Sequence, residues 1–136
     1  MLLVDTNIWL AAADRRSDRH RACVELLAAH HGELASPVPV IAETSWLILD
    51  RLGPGVHQQF LGLVNGEYLK ALDLTRDDWA RRIDLCRDYQ DLRLDLRDAC
   101  VVAIAERVNV TTIATMNHRD FAVVRPTHCD AFELIP

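Results

Sequence analysis

The absences in this chain narrow it first. Lys70 is its only lysine, so the basic side is almost all arginine, and 20 acids against 15 bases leave a net charge of −5. That balance argues against a protein that holds nucleic acid mainly by bulk positive charge. An enzyme whose acidic site is neutralised by a divalent ion is still allowed. Cys23, Cys86, Cys100 and Cys129 form no C-x-x-C pair, and the six histidines show no H-E-x-x-H spacing, so a zinc site is not expected. Cys86 and Cys100 read instead as small buried hydrophobes in a reducing compartment. The longest apolar run, residues 37–49, holds thirteen residues and contains Glu43, too short for a membrane span. Asp5 interrupts the apolar start and no basic segment precedes it, so no signal peptide is read and the expected location is cytoplasmic. Repeats, linkers and low-complexity stretches are missing too. With 136 residues, half of them hydrophobic, one domain (1–136) with one core is expected.

What is present alternates between strand and helix patterns. Leu2-Leu3-Val4 is a short apolar run ending in Asp5-Thr6-Asn7, as in a buried strand of a parallel sheet. A short helix over 8–13 follows, then one from Ser17 to a stop at Gly32. Residues 33–36 suit an edge strand, and Pro37 and Pro39 introduce a helix over 40–51. That helix is apolar nearly all round and is expected to be buried on several sides. Gly53-Pro54-Gly55 turns the chain into a helix over 56–64, and 67–72 fits a strand. Thr75-Arg76-Asp77-Asp78 resembles a capping box, with Trp79, Ile83 and Cys86 at core spacing behind it. A helix over 95–107, a strand over 110–115, a helical turn over 117–121 and a strand over 132–135 complete the pattern. Strands alternating with helices imply βαβ units: an α/β chain with a mainly parallel sheet and helices on both faces.

Polar groups stand where that pattern asks for apolar ones. Asp5 ends the first strand, where open α/β sheets bind ligands, although Asp is also a good helix N-cap. Glu43 is the only ionisable residue between Ser36 and Asp50. A carboxylate on such a helix must be paired, hydrogen-bonded, metal-bound or at a solvent-facing rim. Asp98 precedes the uncharged run 99–105; with Asp95 it can serve the positive end of a helix, yet capping does not explain why two acids are there, with Asp91 a turn upstream. Asn117 follows the strand over 110–115 and shares an end of the sheet with Asp5 if the two strands are neighbours. Oxygen ligands of this kind suit Mg²⁺ or Mn²⁺. Such an ion polarises a phosphoryl oxygen and activates a water for in-line attack, the chemistry of phosphodiester hydrolysis.

In this arrangement the chain resembles the PIN-domain ribonucleases and, among them, the VapC-type toxins of toxin–antitoxin pairs. The carriers are Val4-Asp5-Thr6-Asn7, Ala42-Glu43, the stretch Tyr89-Gln90-Asp91-Leu92-Arg93-Leu94-Asp95-Leu96-Arg97-Asp98-Ala99, and Ile113-Ala114-Thr115-Met116-Asn117-His118-Arg119-Asp120-Phe121. The resemblance covers essentially the whole chain. It implies a PIN-like three-layer α/β/α sandwich, a Mg²⁺- or Mn²⁺-dependent endoribonuclease acting on cellular RNA, an antitoxin partner and a homodimer. By matched position Asp5 and Asp98 would hold the metal, and Glu43 would bind through water or orient the attacking water. Two departures stand out. The family's usual fourth acid falls on Asn117, with Asp120 nearby but out of register, and Asp95 stands where many relatives have a small residue and reads as a cap. Arg15 and Arg16, Arg97, Arg119, Thr6 and Thr115 are candidate RNA contacts, and Trp9 and Trp46 candidates for an antitoxin groove. Two other readings compete with the nuclease. One is a weak or inactive PIN-like module that binds RNA or a partner, for which Asn117 is the best argument. The other is a phosphatase with Asp5 as nucleophile, disfavoured because Asn7 stands where a second acid is wanted.

Overall fold

The computed structural model describes residues 1–136 and places five parallel strands between two helical layers. The strands are β1 (Leu2–Val4), β2 (Leu34–Pro37), β3 (Lys70–Leu72), β4 (Thr112–Ala114) and β5 (Glu133–Ile135). Their order is β3-β2-β1-β4-β5, with every neighbouring pair parallel. The chain lays β2 and β3 to one side of β1 and then crosses to lay β4 and β5 on the other. A topological switch point therefore lies between β1 and β4, where open sheets of this kind leave a crevice at their carboxyl ends.

The helices are α1 (Thr6–Ala13), α2 (His20–Ala29), α3 (Val38–Leu52), α4 (Pro54–Asn65), α5 (Arg76–Asp88), α6 (Leu96–Val108) and α7 (His118–Val123), with a 3₁₀ turn at Gln90–Leu92. Side chains alternate across β1 as a pleated strand requires. Leu3 packs with α5, α6 and α7 on one face, whereas Leu2 and Val4 pack with α1, α2 and α4 on the other. Helix α3 serves both layers, sending Val40 to the first and Ile48 to the second. Helix α6 has the run Ala99 to Ala105 wholly buried, as an uncharged helix in an outer layer allows only when other helices cover it.

Three sequence expectations are corrected. Residues 33–36 do not form an edge: β2 lies between β1 and β3, and all four of its residues are buried. Helix α3, expected to be buried on several sides, buries only Val40, Thr44 and Ile48 and leaves Trp46 64% and Leu49 45% exposed. On α5 the core face is not that of Trp79 and Ile83, which are 50% and 65% exposed. Asp78, Arg82 and Leu85 face inward there instead. Thr75 does form a full capping box with Asp78, and Asp78 in turn receives Arg107 of α6. That ion pair decides the rotation of α5, because a buried carboxylate must meet its partner. Arg82 follows Asp78 inward and lies 4.0 Å from the Trp79 ring, a cation–π contact.

Candidate metal and nuclease site

The two readings of Asp5 turn out to be compatible. One carboxylate oxygen caps α1 by accepting from the Thr6 amide at 2.8 Å. The other accepts from the Thr115 hydroxyl at 2.9 Å and the Asn7 amide at 3.1 Å. Asn7 also accepts from the Met116 amide at 3.0 Å, tying the end of β1 to the end of β4. Asp5 is 0% exposed and therefore held rigidly at the switch point.

Around this anchor, Glu43 arrives from α3 and Asp98 from the first turn of α6. The path to Asp98 is set locally. The 3₁₀ turn ends in Arg93 with φ 54°, a left-handed conformation that redirects the chain into the cap. Asp95 then caps α6 by accepting from the Asp98 amide at 2.8 Å, as its sequence position suggests. Of the alternatives left open for it, Glu43 meets three, being paired with an arginine, hydrogen-bonded and partly exposed at the rim. Its Oε2 accepts from the Thr6 hydroxyl at 3.0 Å and from Arg97 at 2.9 Å.

Arg97 links all of these acids. Its nitrogens lie 2.9 Å from Glu43, 3.4 Å from Asp98, 3.5 Å from Asp95 and 3.6 Å from Asp5. Burial works against its charge, but Asp5, Asp98, Glu43 and Asp95 more than offset that and raise its pKa. Asp98 fares differently. Burial, reinforced by Asp95 and only partly countered by Arg97, pushes its carboxyl up to about 7. Burial also raises Asp5, against the pull of Arg97 and its hydrogen bonds.

Asn117 does reach the cluster. Its side-chain amide donates to Asp98 at 3.4 Å and to Asp120 at 3.0 Å. Asp120, set aside in the sequence because it is out of register, is thus brought to the rim of the site by α7, where residues three apart share a face. That spacing was the signal available for it. Thr6 and Thr115 are not positioned for RNA: both are buried and their hydroxyls are engaged with Glu43 and Asp5. They orient the acids. Arg119 is exposed beside Asp120.

Arg15 and Arg16 lie beyond the far end of α1 from Asp5. They border a groove of about 810 Å³ with Trp9, Leu27, Phe60, Leu63 and Arg51 in its lining, between α1, α2 and α4. Trp9 forms part of this groove, anchored through its indole N–H to Ser36 at 3.0 Å. Trp46 does not line it.

The acids fit a hard divalent cation in atom type and charge: oxygen donors of Asp5, Glu43 and Asp98 gather about one positive group, the Arg97 guanidinium. They do not close into a ready-made cage of three metal-binding side chains. The guanidinium stands among them.

Comparison with known proteins places the fold in a family. The PIN domain model matches residues 2–125, so the chain belongs to the PIN-domain family. Within it, the chain is 27% identical over 135 residues to Ribonuclease VapC26 of Mycobacterium tuberculosis, covering 99% of this chain and 100% of that protein. The fold is shared with the crystal structure of M. tuberculosis VapC20, a sarcin-ricin loop cleaving toxin: TM-score 0.77, 18% identity, 83% of this chain and 87% of the other. It is shared too with a toxin-antitoxin complex from Klebsiella pneumoniae: TM-score 0.71, 22% identity, 91% of this chain and 92% of the other.

Proposed function

We propose that this protein is a Mg²⁺- or Mn²⁺-dependent endoribonuclease, the toxin of a toxin–antitoxin pair that cuts cellular RNA. The observation that carries the reading is the gathering of Asp5, Glu43 and Asp98 about one point at the carboxyl ends of β1 and β4. Asp5 and Asp98 are the residues that would hold the ion. A divalent ion bound there supplies polarisation of a phosphoryl oxygen and a lowered pKa for the attacking water. Glu43, fixed by Thr6 and the most exposed of the three carboxylates, orients that water and accepts its proton. Asp5 contributes a rigid charge, because the Thr6 amide, Asn7 and Thr115 leave its carboxylate no freedom to turn. Arg119, exposed at the rim, is the phosphate contact this geometry favours.

The likeness to the toxin-antitoxin complex from Klebsiella pneumoniae and the apolar groove between α1, α2 and α4 together support an antitoxin partner. An amphipathic helix would lay its apolar face on Val24, Val56 and Leu63, over a floor of buried Trp9, Leu27 and Phe60, and its acids against Arg15, Arg16 and Arg51. Trp46 and Leu49 of α3 and Trp79 and Ile83 of α5 offer exposed apolar surface of the kind a homodimer buries. The Asn117 amide on Asp98 favours a second reading, a weakly active module that mainly binds RNA or its partner.

The deciding experiment incubates purified protein with a structured RNA, with Mn²⁺ or chelator, alongside Asp5→Asn and Asp98→Asn. Cleavage with Mn²⁺ that is lost in chelator and in both variants is the expected result. Cleavage persisting in chelator or in both variants refutes the metal nuclease. Tight RNA binding without cleavage favours the binding module. A short open reading frame for a DNA-binding protein immediately upstream would support the toxin assignment.

A further inference from the structure

We infer that Arg97 is an internal competitor for the metal: its guanidinium occupies the place the divalent ion takes, so metal uptake requires this side chain to leave the carboxylates. The inference rests on the metal reading above and extends it to this chain's own residues. The guanidinium touches all three proposed metal-binding or water-orienting acids, at 3.6 Å from Asp5, 2.9 Å from Glu43 and 3.4 Å from Asp98. A small divalent ion needs carboxylate oxygens at about 2.0–2.1 Å, with water filling the remaining positions. A planar cation wedged among those oxygens and an ion coordinated by them are mutually exclusive.

Arg97 is also badly placed for any other purpose. It is the second residue of α6, where the positive end of the helix dipole repels a cation. Its Nε is buried and has no hydrogen-bond partner. Only the surrounding acids compensate for both costs. An ion that claims Asp5 and Asp98 removes that compensation, and the side chain, still 24% exposed, has an open path to solvent. The site thus has two arrangements, one closed by the singly charged guanidinium and one by the doubly charged metal. The apparent metal affinity is then the intrinsic affinity reduced by the fraction of molecules with Arg97 out.

The test is Mn²⁺ titration calorimetry on the wild type, Arg97→Met and Arg97→Lys, with Arg119→Met as a rim-charge control. Arg97→Met is expected to bind Mn²⁺ about tenfold more tightly than wild type. Arg97→Lys should fall between them and Arg119→Met should stay near wild type. Unchanged or weaker binding in Arg97→Met overturns the competition and would make Arg97 a helper of the site. Should Arg97→Met fail to fold, Mg²⁺ titration of the wild type followed through the Arg97 guanidinium NMR signals decides. Movement of the Nε–H signal with the calorimetric midpoint is expected, and a signal indifferent to saturating Mg²⁺ overturns the idea. No Mn²⁺ uptake by either the wild type or a folded Arg97→Met in calorimetry would remove the metal reading itself, and this inference with it.

Discussion

Asp98 in the crevice and Asp78 in the seam between α5 and α6 are equally buried, each 3% exposed, and their surroundings differ entirely. Asp78 accepts from the Thr75 amide at 2.9 Å and from Arg107 Nε at 2.9 and 3.2 Å, and Arg107 goes on to the Asp73 carbonyl. Beside it Arg81 pairs with Glu106 through two bonds of 2.8 and 3.0 Å, and Glu106 also receives the Thr127 amide. Each acid in the seam has its own arginine, and the buried Arg82, without a hydrogen bond, rests on the Trp79 ring. In the crevice Asp5, Glu43, Asp95 and Asp98 share one arginine, and Asp98 has only long contacts of 3.4 Å from Arg97 and Asn117. Burial of an acid therefore does not mark a site. A surplus of buried acid over base does, because the fold bears its cost without gaining stability from it.

The most severe test of this contrast exchanges the two aspartates' consequences. Asp98→Asn is expected to lower RNA cleavage by on the order of a hundredfold or more while leaving the fold intact. Asp78→Asn should leave cleavage near wild type but destabilise the protein by roughly 1–3 kcal/mol in urea unfolding, since Arg107 loses its carboxylate partner. Loss of cleavage in a well-folded Asp78→Asn, or no loss in Asp98→Asn, would erase the distinction between seam and crevice.

The pH dependence of stability comes next in size. The Asp98 carboxyl rises from 3.8 to about 7 on folding, so between those values the native state binds more protons than the unfolded chain. Stability from this group is accordingly full below pH 3.8 and is lost as pH rises through about 7. Asp5, also raised, acts in the same direction. In chelator, urea unfolding should show a decline across this window, and Asp98→Asn should flatten it. A wild-type profile that rises there would contradict the assignment.

Smaller effects sharpen the edges of the crevice. Asn117→Asp replaces an amide that now donates to Asp98 and Asp120 with a further acid. Mn²⁺ affinity should tighten by about threefold to tenfold by calorimetry, as ligand charge tunes such sites. Unchanged affinity would remove Asn117 from the site. Smallest of all, Asp95→Ala should cost about 1 kcal/mol of stability through loss of the α6 cap. A folded variant without metal binding would instead make Asp95 a ligand.

Much of the architecture was legible because each element carries its own punctuation. The Thr75 and Asp95 caps, the Gly53-Pro54 turn and the apolar start of β1 are local signals, and the structure places elements at each. Helix faces were less legible. Trp79 and Ile83 have core spacing, yet α5 turns Asp78 and Arg82 inward, because Arg107 on a distant segment of chain demands it. Residues 33–36 looked like an edge because a short segment shows nothing of its neighbours, and only the pairing with β3 makes β2 interior.

By itself, then, the sequence determined that acids end β1 and open α6, that an acid interrupts α3, and that an amide follows β4. These follow from residue type against local pattern. Tertiary structure alone decided that they meet. The crossing between β3 and β4 makes β1 and β4 neighbours, and that contact brings Thr115 to Asp5 and Asn117 to Asp98. It also set Arg97 among the acids and brought in Asp120, since charge balance in a buried crevice is a property of side chains far apart in the chain. No local pattern contains it.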